Sequence, residues 1–266
     1  MNISRRSSFR IPTQGGSHRY DNSREREGRD GEDNGLGAAY KASGIGEKGS
    51  VLAIDADPNS NLPELLDVRD AGTIVGVVEE ISKNMDKIPP GVTKDRFIEM
   101  RVQETLSEEK GFDLLVMGRP EGPGCYCYVN NLLRDITSRI TKDYDFVVID
   151  NAAGMEHISR RTVRAIDRLI LVSDHSVFGI RSAKRIYDLA RQLDLKIKDS
   201  FLVVNKVAGA IGALEDEIAS TGLELAGTIP YDVQLQKLSL AGGNVFKFED
   251  EVVRGSIEGI LKNICQ

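Results

Sequence analysis

What is missing from this chain narrows it first. No apolar run approaches the ~18–20 residues that a membrane span needs, and the arginine-bearing N-terminus has no apolar stretch of the kind a secretory signal carries. Three cysteines, two of them separated by a single residue, do not make a disulfide framework, so a reducing cytoplasm is the simplest compartment. Positive charge is in deficit. Against 41 Asp and Glu stand 35 Lys and Arg, for a net charge of −6 and a pI near 5.3, which argues against non-specific nucleic-acid binding. No serine sits in a Gly-x-Ser-x-Gly elbow, so a Ser/His/Asp hydrolase is unsupported. His18, His157 and His175 are isolated in sequence. Upstream of Val51, GLGAAY and ASGIGEKG carry glycines, but neither ends in the Gly-Lys-Ser/Thr of a phosphate-binding loop.

What is present reads as one large α/β domain. The chain has 266 residues, 40% of them hydrophobic and 29% charged, enough for a substantial core in an ordinary globular composition. Its organising stretch is Val51 to Leu62, VLAIDADPNSNL. Val51–Ile54 reads as a short buried strand of a parallel sheet. Asp55 and Asp57 follow, then Pro58 and a polar run that cannot continue it. Carboxylates at the C-terminal edge of a parallel strand sit where open α/β sheets bind ligands; a solvated Asp-Pro turn would look the same in isolation. Tyr144 to Glu156, YDFVVIDNAAGME, ends likewise, in Asp150 and a small-residue turn through Gly154.

In chain order, residues 1–48 are polar and arginine-rich and read as a disordered tail, while 49–266 form the domain. PELLDV, AGTIVGVVEEISKNM and TKDRFIEMRVQETLSEE read as helical, the last two with apolar residues at three- and four-residue spacing and Pro89-Pro90-Gly91 as the loop between them. Phe112–Met117 reads as a strand, Tyr128–Ile140 as a helix and Phe146–Ile149 as a strand. Leu169–Val172 and Phe201–Val204 are strands with helix Ile180–Leu193 between them. Gly227–Ile229 is a short strand, and Glu251–Ile264 a closing amphipathic helix. Strands alternating with helices predict a doubly wound, mostly parallel sheet.

On these residues, DADPNSN resembles the switch I segment, and VVIDNAAG the Walker B and switch II segment, of the deviant-Walker P-loop ATPases that include MinD and ParA. RPEGPGCYCYVNNLLRD resembles the nickel-insertion accessory ATPases of carbon monoxide dehydrogenase, the CooC family. The resemblance covers about residues 48–266. It implies a P-loop NTPase fold, ATP and Mg2+ as cofactors, and a homodimer that closes on ATP and reopens on hydrolysis. Asp57 would position the attacking water, Asp150 would hold Mg2+, and Asp55 would stand nearby, either behind the ligating groups or on the magnesium side. Gly154 would let the switch approach the γ-phosphate. Asn205, Pro230 and Asp232, at two further strand ends, would flank the adenine. Cys125 and Cys127 of each subunit would share a nickel or zinc ion across the dimer, since one chain supplies two thiolates and a closed site wants four. A bare Cys-x-Cys favours two buried cysteines at a strand-to-helix junction; the resemblance of EGPGCYCYVNNLLRD to the accessory ATPases reverses that preference. Cys265 is expected to pack within the last helix. The implied client is carbon monoxide dehydrogenase, with neither nucleic acid nor membrane as partner. The alternatives are a MinD/ParA-like positioning ATPase, which the weakly basic final helix disfavours, and an inactive chain with no phosphate cradle that binds ATP poorly.

The missing loop has an explanation in the code. Read one base out of frame, Glu32 followed by Asp33 gives only Lys or Arg; Asp30 gives Thr or Met, Asp33 Thr or Ile, and Asn34 Thr or Met. Gly28, Arg29 and Gly31 can each become Gly, so Gly28–Asn34 permits GGTGKTT, a phosphate-binding loop. Residues from about 17 to 46 are therefore predicted to be the right gene in the wrong frame. The coding DNA checks this: a stop codon in the shifted frame across those positions, or no lysine at the position of Glu32, would sink the idea.

Overall fold

The computed structural model describes residues 6–10, 49–119, 139–151, 165–243, 245 and 248–265. The strands are β1 (Arg6–Arg10), β2 (Val51–Asp55), β3 (Ser107–Glu109), β4 (Phe112–Val116), β5 (Phe146–Asn151), β6 (Ala165–Asp174), β7 (Lys196–Val207) and β8 (Glu224–Pro230). They form a single sheet in the order β3-β4-β2-β5-β1-β6-β7-β8. The pairs β4·β2, β2·β5, β6·β7 and β7·β8 are parallel; β3·β4 and both pairings of β1 are antiparallel. The expected α/β fold with a mostly parallel sheet is what the chain adopts.

Helices cover both faces. On one, α2 (Ile74–Lys83) and α3 (Lys94–Gln103) bury Ile74, Val78, Ile81, Ile98 and Val102 against Leu52, Ile54, Val147 and Ile149. Farther along, α4 (Val177–Gln192) and α5 (Glu215–Thr221) pack on Leu169, Leu171, Leu202 and Val204. The intervening strand residues point the other way. Val148, Ile170, Phe201 and Val203 meet Ile260 and Ile264 of the closing helix α7 (Glu251–Cys265), as the two-residue period of a strand buried on both faces requires. Side chains set the starts of these helices: Thr73 accepts from Gly76 N–H at 3.0 Å, and Ser176 from Gly179 N–H at 3.0 Å. Among the described residues no helix is long and apolar enough to cross a membrane.

Several local expectations give way to pairing. The 62–68 stretch forms only the single turn α1 (Leu62–Leu65), and the helix expected through residue 109 stops at Gln103. Ser107–Glu109 instead forms a strand, because Gly111 at φ +100 turns the chain back and offers those backbone groups the edge of β4. Residues Val233–Leu240 form a further helix, α6, which hydrophobic spacing did not signal. Cys265 is exposed at the end of α7 rather than packed within it.

The largest correction concerns the N-terminal segment. Of residues 1–48, expected to be disordered, Arg6–Arg10 are described, and they form β1 in the middle of the sheet, with Arg6 opposite Asn151 and Arg10 opposite Val147. The physical reason is the gap between β5 and β6, whose facing backbone groups need partners when buried. A proline-free extended segment can supply them through its own backbone whatever its side chains. Residues 17–46, the subject of the frame-shift prediction, and all but the last two residues of the expected helix 128–140 lie outside the described residues.

Two contacts hold α7 down. Arg168, only 13% exposed in its side chain, donates to the Ile264 carbonyl at 2.5 Å and pairs with Asp199 at 3.4 Å. Gly227, at a bulge of β8, has φ +154, and a Cβ there would lie 2.7 Å from Ile260 Cγ1. Gly227→Ala is expected to cost about 1–3 kcal/mol, read as a lowered midpoint in urea unfolding with an unchanged slope.

Candidate functional site

Parallel pairing brings the two strand-end carboxylates level. Asp55 stands opposite Asp150 in the β2·β5 register, and the next amide, Ala56 N–H, donates to the Asp150 carbonyl at 2.9 Å. Asp55 is fully buried, and both of its oxygens are engaged by the loop that follows. Oδ1 accepts from Asp57 N–H at 3.0 Å and Oδ2 from Leu62 N–H at 3.0 Å. The carboxylate thus brackets residues 57–62. Inside the bracket Asp57 is half-buried, and its Oδ1 accepts from the Asn59 backbone and side-chain nitrogens at 2.9 and 3.0 Å. Ser60, at φ +46, donates from its amide to the Asp57 carbonyl at 2.9 Å. The turn is closed on itself, with Asp57 as its first residue.

A second group of strand ends lies at the same edge, on the far side of β1. Asn205 and Lys206 form a bulge in β7, where Val204 pairs with Thr228 but Val207 with Pro230. Lys206 takes a left-handed φ of +59, and its amide donates to Asn205 Oδ1 at 2.8 Å. One lone pair of that oxygen is thereby engaged locally, and the Asn205 amide nitrogen is a donor group at this strand end. Tyr231 N–H donates to the Val207 carbonyl at 3.0 Å, which draws Pro230 and Asp232 alongside. Asp232 caps α6, accepting from Leu235 N–H at 2.6 Å. The structure therefore brings Asp55, Asp57 and Asp150 together at one pair of strand ends, and Asn205, Pro230 and Asp232 at another. Gly154, Cys125, Cys127 and His157 lie outside the described residues.

One residue at this edge escaped the sequence. β6 continues through Ser173 to Asp174, which stands opposite Asn205 and accepts from Ser176 Oγ at 2.6 Å. Expecting the strand to stop at Val172 hid it. The signal was the same as for Asp55 and Asp150: an apolar run ending in a carboxylate and small polar residues. His175 beside it accepts from Ala208 N–H at 3.4 Å, joining the starts of two loops that the sequence leaves unrelated.

The donor set suits Mg2+ better than a softer ion. Among the described residues no cluster of three His, Cys, Asp or Glu side chains exists. Mg2+ usually keeps waters and takes one or two carboxylates, with phosphate oxygens completing its shell. Asp57 and Asp150 have the right chemistry for that, whereas Asp55 already serves two backbone amides. A phosphate cradle is a separate matter. In a parallel central strand the chain would emerge at this edge, between the two groups; β1 is antiparallel, so residue 10 leaves at the opposite edge.

Replacing Asp55 tests the bracket. Asp55→Ala leaves two amides without acceptors and is expected to cost about 2–4 kcal/mol, with Asp55→Asn losing roughly half as much. Faster hydrogen exchange confined to Asp57 and Leu62 would accompany the Asn variant.

Comparison with known proteins agrees with this arrangement. Residues 43–245 match the model of the CobQ/CobB/MinD/ParA nucleotide binding domain. An uncharacterized ATP-binding protein of Methanocaldococcus jannaschii is 45% identical over 219 residues, 81% of this chain and 87% of the relative. The carbon monoxide dehydrogenase accessory protein CooC of Rhodospirillum rubrum is 30% identical over 205 residues, 72% of this chain and 76% of that protein. Among solved structures, the cell division ATPase MinD of Pyrococcus furiosus superposes with a TM-score of 0.59 at 17% identity, covering 87% of this chain and 95% of that one, a likeness of fold. The chain belongs to the CobQ/CobB/MinD/ParA family of nucleotide-binding domains.

Proposed function

We propose that this protein is an ATP-dependent accessory protein for nickel insertion into carbon monoxide dehydrogenase. Its dimer closes on ATP, carries a metal ion between two Cys125-x-Cys127 pairs, and is reset by hydrolysis. The observation that carries the reading is the coincidence, in one chain, of the bracketed Asp57 loop level with Asp150 and the EGPGCYCYVNNLLRD segment. The first suits a nucleotide switch. The second adds thiolates, which a switch does not need but a carrier of a soft or borderline metal does. Kinship with CooC of Rhodospirillum rubrum, at 30% identity, supports the same client.

In this scheme Asp57 orients the attacking water, Asp150 holds Mg2+ directly or through water, and Asn205 with the Pro230–Asp232 turn seats the adenine. The phosphate cradle is the part this sequence leaves out. Phosphate attraction comes mainly from a loop's N–H groups and lysine, so carboxylates alone would hold ATP weakly.

A MinD-like positioning ATPase is the second reading, supported by 22% identity to the septum site-determining protein MinD of Bacillus subtilis over 85% of this chain. Such a switch would use an amphipathic membrane helix or a basic DNA-binding face. Here the apolar face of α7, with Val253, Ile260 and Ile264, is buried on the sheet.

Metal analysis alongside analytical ultracentrifugation is expected to show one nickel or zinc ion per two chains. Cys125→Ala with Cys127→Ala should abolish both the metal and its share of the dimer. Nickel-dependent activation of carbon monoxide dehydrogenase in cells should fall with the same variant. An unchanged metal stoichiometry would remove the nickel reading and leave the positioning one.

A further inference from the structure

The sheet is ragged at the edge opposite the carboxylates. β7 pairs with β6 from its first residue, Lys196 opposite Ala165, but β8 joins only at Phe201, opposite Glu224. Residues 196–200 thus have no strand on their β8 side among the described residues. None of the five is buried. A strand aims its N–H and C=O groups sideways, so this edge offers donors and acceptors that another strand would satisfy.

Beside the edge lies a groove of about 450 Å³, bounded by the end of α4 and the start of β7. Its charged lining is Arg191, Lys196 and Lys198 against one carboxylate, Asp194. Lys196 and Lys198, two residues apart on the strand, share a face. Arg191 lies 5.9 Å from the ring centroid of Tyr187. None of the three cations makes an ion pair among the described residues, in a chain whose net charge is −6.

We propose that this edge and groove receive an extended acidic segment of a partner protein. The segment adds to β7 as a strand and places acidic side chains at alternate positions against Lys196 and Lys198. Backbone bonds supply affinity, and the cations select the partner. A second copy of this chain is a poor occupant, because edge-to-edge pairing would set lysine against lysine. The site lies at the opposite end of the strands from Asp57 and Asn205, so it holds a partner without obstructing the nucleotide edge, and it does not depend on the nickel reading.

Fluorescence anisotropy on the full chain tests it, with a short labelled peptide alternating Glu with Thr and Val. Saturable binding is expected. Lys196→Glu with Lys198→Glu should weaken it by at least about tenfold while circular dichroism stays unchanged, and the same variant should gain affinity for a second peptide alternating Lys with Thr and Val. Methylating alternate backbone nitrogens of the Glu peptide should abolish binding. Three outcomes overturn the proposal: no binding to the native chain, full affinity of the methylated peptide, or equal affinity for a single-stranded oligonucleotide, which would mark a general polyanion surface.

Discussion

The arrangement of this protein depends on the parallel pairing of β2 with β5. Both strands are apolar on both faces, both carry an aspartate at the C-terminal end, and their register sets Asp55 opposite Asp150. Slipping the register by one residue would turn Leu52, Ile54, Val147 and Ile149 out of the α2/α3 core, so burial of that core also aligns the carboxylates. The loop after β2 then closes on Asp55, whose two oxygens accept the amides of Asp57 and Leu62. A buried carboxylate that would be costly alone becomes the fixed point of a turn. Asp57, the first residue of that turn, inherits its position from the core beneath Asp55.

The middle of the sheet shows how loosely a fold can constrain the side chains of one of its strands. Four strands on one side and three on the other bury separate clusters under α2–α3 and α4–α5, while beneath α7 Val148 of β5 joins residues of β6, β7 and β8. What lies between must satisfy backbone groups, a task that constrains hydrogen bonding more than side-chain identity. Arg6–Arg10 meets it antiparallel. Function is less forgiving than folding here. A phosphate cradle requires the central strand to run parallel and to deliver a glycine-rich loop to the carboxylate edge, and β1 does neither.

At the β6–β8 end, irregularities do the positioning. The bulge at Asn205-Lys206 and the left-handed Lys206 aim Asn205 outward, and the Val207–Tyr231 bond brings the Pro230–Asp232 turn beside it. Ser176 ties Asp174 to the start of α4, and Gly179 leaves the room for it, since a Cβ there would collide with Asp174. At the opposite ends of the same strands β8 joins β7 only from Phe201, so among the described residues the lysine-bearing edge 196–200 has no strand on that side.

The chain by itself determined the class of fold, the strands ending in Asp55 and Asp150, and Asn205 at a strand end, because buried parallel strands leave uninterrupted apolar runs with abrupt polar ends. It also holds no Gly-Lys-Ser/Thr ahead of Val51. Only the tertiary structure decided that Asp55 brackets a loop, that β6 reaches Asp174, that Ser107–Glu109 is a strand and that Arg6–Arg10 enters the sheet. These are matters of hydrogen bonds between residues distant in sequence. The amides that Asp55 accepts and the edge that β3 completes belong to partners that no local pattern names.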